Sequence, residues 1–337
     1  MTTEKLSKQI YGNIWNYYYF CLAKQHMIAD WAYLILGLTL VVLGADWLVD
    51  GASSIARRFG LSEFVIGLTI VGMGTSTPEM VVSFIGAAQG NSDISLGNVV
   101  GSNIFNTLLI LGLTALLLPM AVTKENRRRD VPMNIFIVVL FAGLGLWGSG
   151  LSRWDGAVLL LAFILYMGQS FRQKESIPAD DTETKQVKPL MAILMIVAGL
   201  AALVWGGNHF VDSAVNIARA LGVSDKFVAI TILAGGTSLP ELATCVVAAA
   251  KKKGQLALGN IIGSNVFNIL LILGGSALIH PLGFADISFV DLGVLLASAL
   301  MLLSACFVGR KNEIDRLDGA LFLLLWAGYM TYLVFKL

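Results

Sequence analysis

Two glutamates in this 337-residue chain lie inside long apolar segments, and each ends the same short motif. The first motif is Gly74-Thr-Ser-Thr-Pro-Glu79 and the second is Gly236-Thr-Ser-Leu-Pro-Glu241. An unpaired charge in a hydrocarbon environment costs about 2.5 kcal/mol or more, so a functional partner is the default expectation for such a residue. A bound cation would remove that cost. The alternative is a pair of protonated structural glutamates, but their position in one repeated motif favours function.

A proline precedes each glutamate and predicts a break in the helix. Pro78 has no N–H, so the carbonyl of Gly74 loses its intrahelical partner, and Pro240 does the same for Gly236. Free backbone oxygens are therefore expected beside each carboxylate. Each motif also supplies two hydroxyls, one of them four residues before the glutamate and on the same helical face. These residues are Thr75 and Ser76 in the first motif, and Thr237 and Ser238 in the second.

A polar stripe follows each motif in the next apolar segment. The stripe residues are spaced four apart and so share one face of a helix. They are Asn98, Ser102 and Asn106 in the first copy, and Asn260, Ser264 and Asn268 in the second. Interhelical hydrogen bonding is the alternative interpretation, which the small residues Gly101 and Gly263 would also support.

The combined donor set points to a hard cation. It consists of carboxylates, amide oxygens, hydroxyls and backbone carbonyls, with no imidazole or thiolate in either motif. Ca²⁺ accepts roughly 6–8 oxygens in flexible geometry, whereas transition metals prefer softer ligands. Two glutamates would neutralise one divalent ion.

Both copies keep a single register. Glu79 to Glu241 and Asn106 to Asn268 are each separated by 162 positions, and the same offset relates Asp50 to Asp212. This register indicates an internal duplication. Equivalent segments are five apart, and an odd number of crossings places the second copy upside down in a membrane, as in secondary transporters with a midplane site.

Composition places the motifs in a lipid bilayer. Hydrophobic residues make up 56% of the chain and charged residues only 13%, against roughly 25% charged in soluble domains. Ten apolar blocks have about the length that a helix needs to cross a bilayer. Their approximate bounds are 31–53, 61–88, 94–119, 131–149, 155–171, 189–218, 223–250, 255–279, 287–308 and 316–336. The predicted fold is an all-α membrane protein with ten transmembrane helices in two inverted five-helix repeats, because the blocks lack barrel-strand alternation.

Loop charges predict the orientation. Sixteen of the 23 lysines and arginines fall in loops of one side, which by the positive-inside rule is cytoplasmic, so both termini are expected outside. The predicted domains are an N-terminal extension at 1–30, a first repeat at 31–171, a cytoplasmic linker at 172–188 and a second repeat at 189–337. No cleaved signal peptide is expected, and Met27 is an alternative start.

Several function classes are disfavoured. A net charge of +1 predicts no nucleic-acid partner, and the sequence indicates no obligate protein partner. The three cysteines are scattered and are expected to be packing residues, and no histidine lies in either motif, so an enzyme is not expected. Weaker intramembrane candidates are expected near helix ends, in interfacial or pairing roles. They are Asp46, Asp50, His209 and Asp212.

The doubled motifs resemble the two α-repeats of the calcium/cation antiporter superfamily, and most closely its prokaryotic sodium/calcium exchanger branch. The resemblance covers residues 30–337. It implies a central Ca²⁺ site and flanking Na⁺ sites, with no resident cofactor. The implied Ca²⁺ ligands are Glu79, Glu241, Thr75 and Thr237, and the implied Na⁺ ligands are Ser76, Ser102, Ser238, Ser264 and the backbone oxygens of Gly72 and Ala234.

One position departs from the family pattern. Family members often carry Asp where this chain has Asn268, and the potassium-dependent branch characteristically does. Here Asn106 and Asn268 are both neutral members of the predicted site, which argues against potassium coupling. The expected function is Ca²⁺/Na⁺ antiport in a prokaryotic plasma membrane. A Ca²⁺/H⁺ antiporter and a cation channel stay open as alternatives.

Overall fold

A computed structural model describes residues 3–171, 187–223, 234–284, 287–307 and 312–336, with the side chains of 3–26 and of Ala234 outside the description. Apart from four two-residue strands, its elements are helices. The helices are α1 (Thr3–Phe59), α2 (Glu63–Thr75), α3 (Thr77–Ala88), α4 (Ser92–Leu117), α5 (Asn126–Trp147), α6 (Arg153–Phe171), α7 (Pro189–Ala220), α8 (Ala234–Gly236), α9 (Leu239–Ala250), α10 (Gly254–Ile279), α11 (Phe289–Phe307) and α12 (Arg316–Lys336). The strands are β1 (Met120–Ala121), β2 (Gly150–Leu151), β3 (Leu282–Gly283) and β4 (Glu313–Ile314).

The prediction of an all-α membrane protein is confirmed. Within the described ranges, eight helices are long and apolar enough to cross a bilayer, and α2 with α3 forms a ninth span bent by 49°. The predicted span 223–250 is described only in part, because residues 224–233 lie outside the description and α9 is its second portion. The predicted linker 172–188 also lies almost wholly outside it.

One predicted boundary is wrong in an informative way. Arg127 to Arg129 were expected in a loop, but α5 already includes them. Thr123 and Asn126 cap the start of this helix with two reciprocal hydrogen bonds. The Thr123 N–H donates to Asn126 Oδ1 at 3.0 Å, and the Asn126 N–H donates to Thr123 Oγ1 at 3.1 Å. Arg129 then pairs with the buried Asp130 at 2.6 Å. Local capping and an internal ion pair therefore keep a strongly basic stretch helical.

Helices α1 and α7 approach so closely that only glycine is accommodated at their contact. A Cβ on Gly44 would lie 2.7 Å from the carbonyl oxygen of Gly199, and a Cβ on Gly199 would lie 2.7 Å from that of Gly44. Gly37 and Gly206 form the same reciprocal contact, at 2.6 and 2.8 Å. The offset of 162 relates Gly37 to Gly199 and Gly44 to Gly206, so the two contacts are copies of each other.

The short strands join the two halves of the chain at both ends of α5. Strand β1 precedes this helix and pairs antiparallel with β4, through Met120 and Ile314. Strand β2 follows the helix and pairs antiparallel with β3, through Gly150 and Gly283. Each pair therefore takes one strand from each half.

The polar stripes lie on the most interior helices. In the apolar window of α10, 94% of the residues are buried inside the protein, and in that of α4, 72% are buried, against 11% for α12. Because α4 and α10 carry the stripes, these polar side chains face protein rather than lipid. That location is where backbone and side-chain polar groups in a membrane protein can be satisfied.

Candidate cation-binding site

Each glutamate lies in the first turn of a helix that begins after a break. Helix α3 starts after Ser76, whose φ and ψ are −79° and 8°, and Pro78 occupies its first turn. Helix α9 starts after Ser238, at −88° and 8°, with Pro240 in the equivalent place. A proline in the first turn loses no intrahelical hydrogen bond, and the partial positive charge of a helix N-terminus favours a carboxylate. The prolines therefore place each glutamate at the start of a new helix.

The carboxylate of Glu79 is fully buried and lies among hydroxyls from both halves of the chain. Ser238 Oγ donates to Glu79 Oε1 at 3.0 Å, and Ser102 Oγ lies 3.5 Å from the same oxygen. The two serine oxygens are 3.2 Å apart. One carboxylate oxygen is thus held by the opposite motif and by the stripe of its own half.

Glu241 has the matching environment. It is fully buried, its Oε1 accepts from Ser76 Oγ at 3.0 Å, and Ser264 Oγ lies 3.4 Å away. The contacts are crossed, because the serine at each break bonds to the glutamate of the other half. This crossing unites the two motifs in one site.

Among the described residues, the second oxygen of each carboxylate has no hydrogen-bond partner. Glu79 Oε2 and Glu241 Oε2 are both buried without a hydrogen bond. Burying a polar or charged atom without a partner is costly, and native proteins rarely do so without a reason. A cation or a proton at these oxygens would remove the cost.

Backbone oxygens also reach this region. The carbonyl of Gly72 accepts from the N–H of Ser76 at 3.1 Å and lies 3.5 Å from Ser264 Oγ. A Cβ on Gly72 would lie 3.1 Å from the nitrogen of Ser264, so the absence of a side chain permits this approach. Ala234, the equivalent residue, begins α8, and its side chain lies outside the description.

The two threonines bond to the stripe asparagines of the opposite half. Thr75 Oγ1 lies 3.2 Å from Asn260 Oδ1, and Thr237 Oγ1 lies 3.4 Å from Asn98 Oδ1. Asn98 and Asn260 therefore make interhelical hydrogen bonds, and they make them to predicted cation ligands. The two interpretations of the stripe are compatible at these positions.

Asn106 and Asn268 are buried, but no hydrogen bond of the described residues joins them to the glutamates. Within the described ranges, neither amide atom of Asn106 has a hydrogen-bond partner, and Asn268 Oδ1 has none. Asn268 Nδ2 donates to Asn103 Oδ1 at 3.1 Å. Both residues therefore lie in the interior, and their amide oxygens are available as cation ligands.

Sequence reasoning missed a second amide network. Asn103 Nδ2 donates to the carbonyl of Asn265 at 3.5 Å, and Asn265 Nδ2 donates to Thr107 Oγ1 at 2.8 Å. A signal was present, since Asn103 and Asn265 follow the stripe serines in both copies of the motif and are 162 positions apart. They bind α4 to α10 across the interface between the halves.

Ser83 and Cys245 were also not identified from the sequence, although they accept hydrogen bonds from two asparagines of the polar stripes. Asn98 Nδ2 donates to Ser83 Oγ at 2.9 Å, whereas Asn260 Nδ2 donates to Cys245 Sγ at 3.3 Å. Ser83 and Cys245 are related by the offset of 162. Cys245 was expected only to pack, yet it contacts a residue that bonds to Thr75.

The weaker candidates lie outside this site. Asp46 and Asp50 pair with Lys251 at 2.7 and 2.8 Å, and Lys253 reaches Asp50 at 3.4 Å, in line with the expected pairing role. Both aspartates lie well inside α1 rather than near its end, and the lysines follow the end of α9. Burial lowers the pKa of Lys253, and the nearby Asp50 carboxylate opposes that shift. His209 stacks on Tyr33 and packs edge-to-face against Trp205.

The donors of the site are thus two carboxylates among hydroxyls, amides and a carbonyl. Among the described residues, no group of three or more His, Cys, Asp and Glu side chains is placed to hold a metal ion. The arrangement offers oxygen ligands from both halves, and its two carboxylates can balance the charge of a cation. Such a set suits a hard cation.

Comparisons with known proteins agree with this geometry. Residues 29–172 and 191–335 match the sodium/calcium exchanger protein family. The chain is 41% identical to CaxA of Alkalimonas amylolytica over 321 residues, covering 92% of this chain and all of the relative. It is 36% identical over 343 residues to the sodium/calcium exchanger MaX1 of Methanosarcina acetivorans, covering 90% of this chain and 97% of the relative. A solved structure of the sodium-calcium exchanger NCX_Mj superposes with a TM-score of 0.80 at 34% identity, covering 90% of this chain and 99% of the other.

Proposed function

The chain belongs to the sodium/calcium exchanger family of the calcium/cation antiporter superfamily, and we propose that it exchanges Ca²⁺ for Na⁺ across a membrane. The family consists of transporters rather than enzymes. MaX1 and NCX_Mj, both named as sodium/calcium exchangers, support the choice of ions. The transported ions are substrates that bind transiently, so no resident cofactor is needed.

The buried carboxylate pair carries the proposal. Glu79 and Glu241 each keep one oxygen in a crossed hydroxyl contact and leave the other without a partner. One Ca²⁺ would neutralise both charges and use both free oxygens. Two Na⁺ ions would balance the same charge, so the two cations can replace each other without leaving a large buried charge.

The oxygen ligands of the site are divided between Ca²⁺ and Na⁺ in this proposal. Ca²⁺ binds between Glu79 and Glu241, with the hydroxyls of Thr75 and Thr237. Na⁺ occupies oxygen-lined positions beside this centre, and the neutral amides of Asn106 and Asn268 complete the site. The remaining Na⁺ donors are Ser76, Ser102, Ser238, Ser264 and the backbone oxygens of Gly72 and Ala234.

We further propose ten spans in two inverted repeats, at 31–171 and 189–337, joined by the linker 172–188 and preceded by the extension 1–30. The offset of 162, the copied glycine contacts between α1 and α7, and the strand pairs at opposite ends of α5 support this arrangement. Loop charges support an orientation with both termini outside, and the bacterial and archaeal relatives support a prokaryotic plasma membrane location.

Burial of the site supports alternating access as the transport mechanism. Both glutamates are fully buried, so the described conformation encloses the site between the two halves. Each half contributes to both carboxylate environments, and movement of one repeat against the other would open the site to one side at a time. A cation channel is the weaker alternative, because an open pore does not need an enclosed site.

Proton coupling is the stronger alternative. The free oxygens of Glu79 and Glu241 can carry protons as well as a cation, and two protons would balance one Ca²⁺. Purified protein in sealed liposomes separates these mechanisms. We expect ⁴⁵Ca²⁺ uptake when Na⁺ is loaded inside, and none when only a pH gradient or only K⁺ is imposed. Uptake with the pH gradient alone would establish the proton exchanger, and uptake with no counter-ion gradient would establish the channel.

A further inference from the structure

Every hydroxyl and carboxylate of the proposed site is identical in the two halves. The residue that accepts a hydrogen bond from the first asparagine of each stripe, Asn98 or Asn260, differs between the halves. Position 83 is serine and its counterpart, position 245, is cysteine. Both side chains are fully buried, and both accept a hydrogen bond from an asparagine that contacts a proposed Ca²⁺ ligand. This difference makes the two halves of the site chemically unequal.

A hydroxyl that coordinates a cation through its oxygen must direct its proton elsewhere. In this protein an amide oxygen lies within hydrogen-bond reach of each threonine hydroxyl, and Thr75 has a second acceptor, the carbonyl of Gly72, at 3.4 Å. Thr237 Oγ1 lies 3.4 Å from Asn98 Oδ1, and Thr75 Oγ1 lies 3.2 Å from Asn260 Oδ1. A proton donated to the amide leaves the lone pairs of the threonine oxygen free for a cation.

The orientation of the Asn98 amide is set by two oxygen acceptors. Its Nδ2 donates to the backbone carbonyl of Glu79 at 3.0 Å and to Ser83 Oγ at 2.9 Å. The oxygen end of an asparagine amide is identified by such a network, because the two ends have the same shape. With both donors engaged on this side, Oδ1 must face Thr237.

The Asn260 amide is held less firmly. Its Nδ2 donates to Cys245 Sγ at 3.3 Å, and in the part of the chain described here no oxygen accepts from it. A thiol sulfur is a weak acceptor compared with a hydroxyl or a carbonyl. Cys245 also lies 3.7 Å from the carbonyl of Ala257, to which it can donate. Thr75 therefore depends on a less constrained amide than Thr237 does.

We propose that Asn98 and Asn260 are positioning residues that turn the hydroxyl oxygens of Thr237 and Thr75 toward Ca²⁺, and that Ser83 and Cys245 determine how firmly each is held. This inference rests on the proposed exchange function. It makes the Thr75 side the weaker half of the site, and it identifies position 245 as a determinant of Ca²⁺ affinity outside the ligands themselves.

Reciprocal substitutions test the inequality. Cys245→Ser gives Asn260 a hydroxyl acceptor, and we expect it to lower the KM for Ca²⁺ by about two- to fivefold, since a net neutral hydrogen bond is typically worth about a fivefold change in equilibrium. Ser83→Cys is expected to raise the KM by a similar factor. Cys306→Ser is the matched control, because Cys306 is also buried but lies on α11, outside the site. Equal KM values for wild type and both reciprocal variants would overturn the proposal.

A double-mutant cycle tests whether Asn98 acts through Thr237. Asn98→Ala alone is expected to raise the KM about fivefold with a smaller change in kcat. In a Thr237→Val background, which lacks the hydroxyl, the same change should raise KM less than twofold, since residues that act through one contact are not additive. Additive effects would refute the positioning role. Absence of Na⁺-driven uptake by wild type would instead refute the exchange function, so the two failures are distinguishable.

Discussion

Replacing Glu241 with glutamine removes one charge from the site while keeping its shape. The amide oxygen of the new side chain can still accept from Ser76, now 3.0 Å from Glu241 Oε1, and from Ser264 at 3.4 Å. The crossed contacts are therefore preserved. The amide nitrogen that replaces the unpartnered carboxylate oxygen is neutral and so costs less to bury than a charge, and we expect Glu241→Gln to fold and to be no less stable than wild type.

Transport should nevertheless be lost. Removing one partner of a buried pair of opposite charges costs about 3–5 kcal/mol; here the pair is the carboxylate and the bound Ca²⁺, so the cost falls on binding and corresponds to a loss of affinity between roughly a hundredfold and several thousandfold. A divalent ion facing a single remaining carboxylate would be left with an uncompensated charge. The assay is Na⁺-driven ⁴⁵Ca²⁺ uptake into proteoliposomes, with thermal unfolding of the purified variant measured in parallel.

Glu63→Gln is the control for this substitution. Glu63 lies in the first turn of α2 and accepts from Ser53 Oγ at 3.2 Å, away from the site, so its neutralisation should leave the KM for Ca²⁺ unchanged. If Glu241→Gln retains uptake within twofold of wild type, the two-carboxylate reasoning is wrong. If both variants lose uptake equally, the effect is not specific to the site.

Three further outcomes follow. Deleting residues 1–26 should leave exchange unchanged, because they precede the first span and have no copy in the repeat; a truncated protein that inserts but does not transport contradicts this. Na⁺-driven Ca²⁺ flux should proceed without K⁺, because Asn106 and Asn268 add no third carboxylate, and an absolute K⁺ requirement would refute the charge argument. Asp46→Asn should change Ca²⁺ uptake less than twofold and stability by at most about 1 kcal/mol, because the pair with Lys251 is partly exposed, at 46% and 26%; a loss of transport would instead place Asp46 on the ion pathway.

The two helix breaks at Pro78 and Pro240 were predicted correctly from the sequence, because the effect of proline on a helix is a local property. Proline is disfavoured in a helix interior and favoured in a first turn, so it marks a helix boundary wherever it occurs, and the motif repeats at one offset. The hydrogen bond from Ser76 to Glu241 of the other half could not be predicted from the sequence. An offset states which residues are equivalent, but it does not state which of them face each other across the interface between the halves.

Two other differences have identifiable physical causes. The helical start at Asn126 depends on its reciprocal bonds with Thr123, a capping pattern that local sequence does contain but that the basic residues after it obscured. The contact between Asn260 and Cys245 depends on how α9 packs against α10, which no periodicity specifies. Equivalent positions in a duplicated chain therefore merit comparison even where one residue is apolar.

Equilibrium binding tests the central claim most directly. Purified wild-type protein should bind one ⁴⁵Ca²⁺ per chain between Glu79 and Glu241, and added Na⁺ should displace it competitively, because both cations use the same carboxylates. Glu79→Gln and Glu241→Gln should each abolish this binding in the concentration range where wild type saturates. Ca²⁺ binding that is insensitive to Na⁺, or that persists unchanged in either variant, would contradict a shared exchange site at this carboxylate pair.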